Sequence, residues 1–308
     1  MNIIVSGSLA YDRIMDFPGH FSEHILPDKI HMLNVSFTVD GMKEKFGGTA
    51  GNIAYGLRLL GEDPVIAATI GHDHQRYFEW LERNRISTDT IKVIEFDFTA
   101  CAYITTDQAD NQITGFNPGS MKYPSAFRFE LLDPQVTMMI IAPGNLDDMK
   151  AYSQNCRSKG IPFIFDPGQS LPMWDGRELA ECIAGSRILI SNDYELELVM
   201  KLTGLDKGEL LKRTGAIVTT LGESGSRINL ADREVNVPVV TPDEVVDPTG
   251  AGDAYRAGLI KGLVDGKDLY QSALMGSVAA SFAVESYGTQ EHYFDIGLFQ
   301  ERLARYMK

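Results

Sequence analysis

What most constrains this chain is the recurrence of short, apolar, β-branched runs separated by segments of helical periodicity. The runs are Ile3 to Ser6, Val65 to Thr69, Thr137 to Ala142, Phe163 to Asp166, Ile188 to Ser191 and Ile217 to Leu221. Their near-continuous apolar character is that of strands buried on both faces. Between them lie helical patterns such as Ala50, Ile53, Ala54, Leu57 and Leu60, which form one apolar face closed by Gly61. This alternation predicts an α/β fold, a largely parallel sheet with helices on both sides. With 308 residues, 44% of them hydrophobic, the chain suits one large domain with a small appendage.

Two segments break the alternation. Asp12 to Gly41 and Phe98 to Phe116, where ACAYITT and QITGF flank the turn-prone DQADN, read as strands of a separate small sheet. The expected division is a large unit of residues 1–11, 42–97 and 117–308 and a small β lid of residues 12–41 and 98–116.

A formal charge of −14 argues against nucleic acid and anionic membranes as partners, because both select clustered Lys and Arg. No run reaches the length of a membrane span, and residues 1–7 read as a short strand rather than a signal peptide. Cys101, Cys156 and Cys182 are odd in number and widely spaced, so neither a disulfide framework nor a zinc site is indicated and a reducing cytoplasm is the expected setting. His72 and His74 form an HxH pair without an evident third ligand, and a plain turn and helix start is the favoured reading.

The run Asp247-Pro-Thr-Gly-Ala-Gly-Asp-Ala-Tyr255 places small residues before a long helical pattern, Ala254 to Val264. Backbone N–H groups of Gly250, Ala251 and Gly252 could approach an anion there, aided by the partial positive charge of a helix N-terminus. Asp253, in the same turn, could take the proton of an attacking hydroxyl. An ordinary N-terminal cap explains the same residues, and taken singly they leave the two readings evenly balanced. Neither GxxxxGK[ST] nor GxGxxG is present.

DPTGAGDAY resembles the C-terminal signature of the ribokinase-like, or PfkB, family of carbohydrate and nucleoside kinases. Gly47-Gly48-Thr-Ala-Gly-Asn52, Asn192-Asp-Tyr-Glu195 and Val218-Thr-Thr-Leu-Gly-Glu-Ser-Gly225 resemble three further family motifs in the family's order. The resemblance implies a ribokinase-like fold, with a small β lid beside the main sheet, and ATP and Mg²⁺ as cofactors. It implies Asp253 as catalytic base and Gly250, Ala251 and Gly252 as an anion hole. Asn192 and Glu195 would organise Mg²⁺ through water, although the pair also reads as a helix cap. Thr220, Gly222 and Gly225 would meet the nucleotide. Asp247 and Thr249 match positions that in many members help bind K⁺.

Asp12, Gly48 and Asn52 match positions that hold sugar hydroxyls in the family. The segments SGSLAYDRIMDFPGHFSEHI, LNVSFTVD, ITGFNPG and ESYGTQ resemble those of bacterial adenosine kinases within it. Matching them, Ser8 and Ser36 would contact a nucleoside, Phe116 would stack on the purine and Gln169 would reach toward it. The expected reaction is then transfer of the ATP γ-phosphoryl group to the 5′-hydroxyl of adenosine. A kinase for a free sugar such as ribose or fructose, or for another nucleoside, is the alternative, and a silent nucleoside-binding protein is a remoter one. Sugar phosphates are disfavoured because the lid segments lack a basic cluster, with Lys29, Lys43 and Lys45 as the reservation. A homodimer through the lid is the expected assembly.

Overall fold

The computed structural model describes residues 1–25, 34–109 and 111–307. Its main sheet has eight strands, in the spatial order Glu234–Val237, Ser226–Asn229, Ile217–Thr220, Ile188–Asn192, Phe163–Phe165, Thr137–Ile141, Asn2–Ser6 and Pro64–Ala67. The last six pair in parallel, while Ser226–Asn229 and Glu234–Val237 add an antiparallel edge. Each apolar run of the sequence supplies a strand. The run around Val65 supplies two, because the chain leaves the main sheet after Ala67 and Thr69–Gly71 pairs separately with Lys92–Ile94.

Successive strand residues enter opposite cores. Ile3, Val5, Met138 and Ile140 pack in the core that includes residues of the helices Thr49–Leu59, Ala251–Val264 and Leu269–Ala283. Ile4, Met139 and Ile141 pack in the one that includes residues of Leu146–Lys159, Gly176–Ile183 and Asp193–Thr203. Full burial of each such side chain is worth about 1.5–3 kcal/mol, so two-sided packing explains why these runs lack polar alternation. The parallel strands end on one edge at Ser6, Ile141, Phe165, Asn192 and Thr220, the edge where open α/β sheets bind ligands.

The second sheet has four strands, ordered Met42–Gly47, Ala10–Asp16, Ala100–Thr106 and Gln112–Asn117. Met42–Gly47, assigned from sequence to the large unit, is therefore part of the small sheet, paired antiparallel to Ala10–Asp16. Its charged alternation, MKEKFG, hid it among loop residues. The other described residues of 12–41 are less sheet-like than expected: Phe21–His24 is a short helix and residues 34–39 form no regular element. Phe37 packs against Phe17 and Phe21 there. Lys29 lies outside the described residues.

Candidate active site

The helix Ala251–Val264 starts from Gly250, whose φ of 82° is left-handed and favours glycine. Ala251 N–H donates back to Pro248 O at 3.2 Å and Thr249 N–H to Asp247 Oδ1 at 2.9 Å, so in the stretch Thr249 to Asp253 the amides without an acceptor among the described residues are those of Gly250, Gly252 and Asp253. The expected trio of free amides thus shifts by one member, because the turn itself engages Ala251. Gly250, Gly252 and Asp253 line a cleft of about 350 Å³ at the carboxyl edge of the sheet, together with Gln169, Asn192 and Glu195.

Asp253 sits in the first turn of its helix, where Asn52 Nδ2 donates to its Oδ2 at 2.8 Å. Burial pushes the Asp253 carboxyl up to about 6, against the opposing pull of Arg256 and the Asn52 bond. Arg256, one turn on, is buried and forks onto Asp166: Nη2 donates to Oδ1 at 2.9 Å and Nε to Oδ2, while Nη1 donates to Gly252 O at 2.9 Å. This bidentate pair fixes the start of the helix Ala251–Val264 to the end of the strand Phe163–Phe165. Sequence reading missed both residues, although one arginine in the buried run Ala254 to Leu263 was the signal to follow.

Asn192 and Glu195 form a reciprocal capping box on the helix Asp193–Thr203: Glu195 N–H donates to Asn192 Oδ1 at 2.7 Å, and Asn192 N–H donates to Glu195 Oε2 at 2.8 Å. Both also line the cleft. Thr220 and Gly222 border the cleft and a second, adjoining cavity of about 270 Å³. Gly225, Val240, Tyr255 and Val284 give this cavity an apolar lining suited to a flat base.

Asp12 lies on the small sheet. Its carboxylate has no hydrogen-bond partner among the described residues, and burial pushes it up to about 6. The register sets Lys45, Asp12, Ala102 and Phe116 side by side, hence on one face of the sheet, with the Phe116 ring half exposed. Gly48, at φ 89°, lets the chain pass so close to Ser8 that a Cβ would meet its carbonyl oxygen at 2.5 Å.

Ser8 is less available than expected, because its Oγ accepts from Thr49 N–H at 3.1 Å in a buried contact. Gln169 is exposed in the turn Gly168–Met173, and Ser36 is exposed in the irregular segment. Asp247 accepts from Thr249 N–H at 2.9 Å and Gly288 N–H at 3.0 Å, so a cation there would share an already engaged carboxylate. His72 and His74 bond locally to Asp97 O and Gly71 O, and no group of three or more metal-binding His, Cys, Asp or Glu side chains occurs among the described residues.

Residues 5–294 match the pfkB family carbohydrate kinases. The chain belongs to this family. It is accordingly an ATP-dependent phosphotransferase that acts on a hydroxyl acceptor. It is 32% identical to a nucleoside kinase of Methanocaldococcus jannaschii over 285 residues, 89% of this chain and 90% of that protein. The structure of Burkholderia thailandensis nucleoside kinase in complex with inosine superposes with a TM-score of 0.87 at 35% identity, covering 99% of this chain and 98% of that one. The M. jannaschii nucleoside kinase structure gives a TM-score of 0.84 at 30% identity, with 99% of each chain covered.

For this kinase, Mg²⁺ fits the donors present. Asp166 is committed to Arg256, which leaves Glu195 as a cleft carboxylate with an oxygen outside the capping box, beside the Asn192 amide. Mg²⁺ keeps several waters and takes one or two carboxylates plus substrate phosphates, so so sparse a protein set suffices. When bound, it would neutralise phosphate charge.

Glu195→Gln separates the two roles, because glutamine also serves a capping box. The expected result is a melting temperature within about 2 °C of the parent, with turnover at limiting Mg²⁺ reduced by roughly ten-fold or more. Thermal melts and Mg²⁺ titrations of ADP release check it; equal loss of stability and activity would reduce Glu195 to a cap.

Proposed function

We propose that this kinase transfers the γ-phosphoryl group of ATP to the 5′-hydroxyl of adenosine, giving AMP and ADP. The observation that carries the reading is the partly buried Asp253 carboxylate, held by Asn52 beside the free amides of Gly250 and Gly252. The 5′-oxygen attacks the γ-phosphorus as its proton passes to Asp253, the bond to the bridging oxygen breaks, and ADP leaves. The free amides, on the cleft wall beside Asp253, would stabilise the charge that builds on the transferring group, and preorganised donors of this kind act most strongly in a site shielded from water.

What remains unpartnered supports the choice of acceptor. Asp12 can accept from two vicinal ribose hydroxyls, and Phe116, on the same face of the small sheet, offers a ring for the base. Closure of that sheet over the cleft would exclude water and limit ATP hydrolysis. One observation widens the acceptor class: the B. thailandensis relative is described in complex with inosine, so other purine nucleosides share the proposed site's requirements.

A coupled ADP-release assay over adenosine, inosine, ribose and fructose tests the reading. Stacking worth about 1–3 kcal/mol predicts kcat/KM for purine nucleosides about 5- to 150-fold above that for ribose, and Phe116→Ala should erase most of the difference. Ribose at parity with adenosine in the parent enzyme would overturn it.

A further inference from the structure

Behind Asp253 runs a chain of side-chain hydrogen bonds that links Asn52 of the glycine motif to Gln290, a residue of ESYGTQ to which no role has been assigned. Trp80 Nε1 donates to Gln290 Oε1 at 2.8 Å, Gln290 Nε2 donates to Asn52 Oδ1 at 2.9 Å, and Asn52 Nδ2 donates to Asp253 Oδ2 at 2.8 Å. Gln290 Nε2 also donates to Tyr77 Oη at 2.9 Å, and Tyr77 in turn donates to Gly47 O at 2.6 Å. Gln290 is 2% exposed and Asn52 6%, so neither amide has water as an easy substitute partner.

The polarity of this chain is set at its far end. An indole N–H can only donate, so Gln290 must present its oxygen to Trp80 and its NH₂ to Asn52. Asn52 must then present its own oxygen to Gln290 and its NH₂ to Asp253. We infer that Gln290 is a positioning residue for phosphoryl transfer: it locks the Asn52 amide in the one orientation that donates to Asp253, and so holds one carboxylate oxygen and leaves the other for the substrate hydroxyl. The inference rests on Asp253 being the base.

Gln290→Glu reverses the polarity with little change of shape. A glutamate accepts from Trp80 but cannot donate to Asn52, whose amide then turns its oxygen toward Asp253. The charged groups already facing Asp253 are kept: Arg256 on its own helix, Asp166 and Glu195 across the cleft, and Tyr77, itself coupled to Asp12, toward the small sheet. The new carboxylate at 290 also disfavours ionised Asp253, so the uncharged Gln290→Met, which removes the donor to Asn52 without adding charge, separates reorientation from charge. Loss of a donor to the ionised carboxylate disfavours that form, so the acid limb of kcat moves to higher pH.

The expected result for Gln290→Glu is a fall in kcat of roughly 10- to 100-fold at pH 6.5 with KM for ATP within about two-fold, and partial recovery by pH 8.5. Trp80→Phe, which frees the Gln290 amide to turn but removes no donor to Asn52, gives a smaller shift of the same sign. The position of the limb does not depend on the fraction of folded enzyme, so partial misfolding leaves the test valid. With Asp253→Asn inactive, an unmoved limb in the uncharged Gln290→Met and Trp80→Phe, or an equal loss at every pH, overturns the positioning role. An active Asp253→Asn instead overturns the base assignment on which it rests.

Discussion

Asp253→Asn is expected to lower kcat by about two to four powers of ten, the range typical of a positioned general base, while KM for ATP changes by less than about three-fold. Asparagine keeps the volume and still accepts from Asn52, so the helix start and the free amides persist and only proton acceptance is lost. The pH dependence has a definite sign. A carboxyl pushed up to about 6 must be ionised to accept a proton, so kcat of the parent falls as pH drops through 6. Asp12, raised to the same region, must be ionised to accept from ribose hydroxyls; kcat/KM for the nucleoside therefore falls more steeply than kcat.

Stability moves the other way. A folded pKa above the ordinary 3.8 means the fold binds that proton more tightly than the unfolded chain, so stability is lost as pH rises from about 4 through 6. Asparagine removes this charge, and Asp253→Asn should melt at pH 7.5 no lower than the parent. A variant that is both inactive and much less stable would show damage to the helix rather than loss of a base.

The second large effect concerns Arg256. With side chains 8% and 2% exposed, Arg256 and Asp166 are a buried bidentate pair, and removing one partner strands the other charge at a cost of about 3–5 kcal/mol. Arg256→Leu should therefore lower the melting temperature by roughly 6–15 °C. It should also raise the acid limb of kcat, because Arg256 is the largest charge favouring ionised Asp253. The double variant Asp166→Leu with Arg256→Leu should regain most of the stability and little of the activity, since it removes the stranded charge but not the loss at the catalytic helix. Thermal melts beside pH profiles check both; full recovery of turnover in the double variant would limit the pair to a structural role.

Much of this was readable in the chain because the informative residues are local. The parallel core followed from runs such as Thr137 to Ala142, whose neighbours alternate between two cores and so never show polar positions. The helix start at Gly250 and the cap at Asn192 lie within single turns, where spacing and residue type carry the geometry. What escaped was contact across sequence. Asn52 meets Asp253, Gln290 meets Asn52 and Arg256 meets Asp166 over separations of 201, 238 and 90 residues, which no periodicity reports. Met42–Gly47 escaped for another reason: one strand face carries Lys43 and Lys45, so its register became visible only beside Ala10–Asp16.

The most direct test of the account is the ³¹P NMR spectrum of the product formed from ATP and adenosine, recorded with proton coupling. Transfer to the 5′-hydroxyl predicts ADP together with a monophosphate whose phosphorus couples to the two 5′ protons. A phosphorus coupled to a single ribose proton, or no nucleotide product under conditions where ribose is phosphorylated, would contradict it.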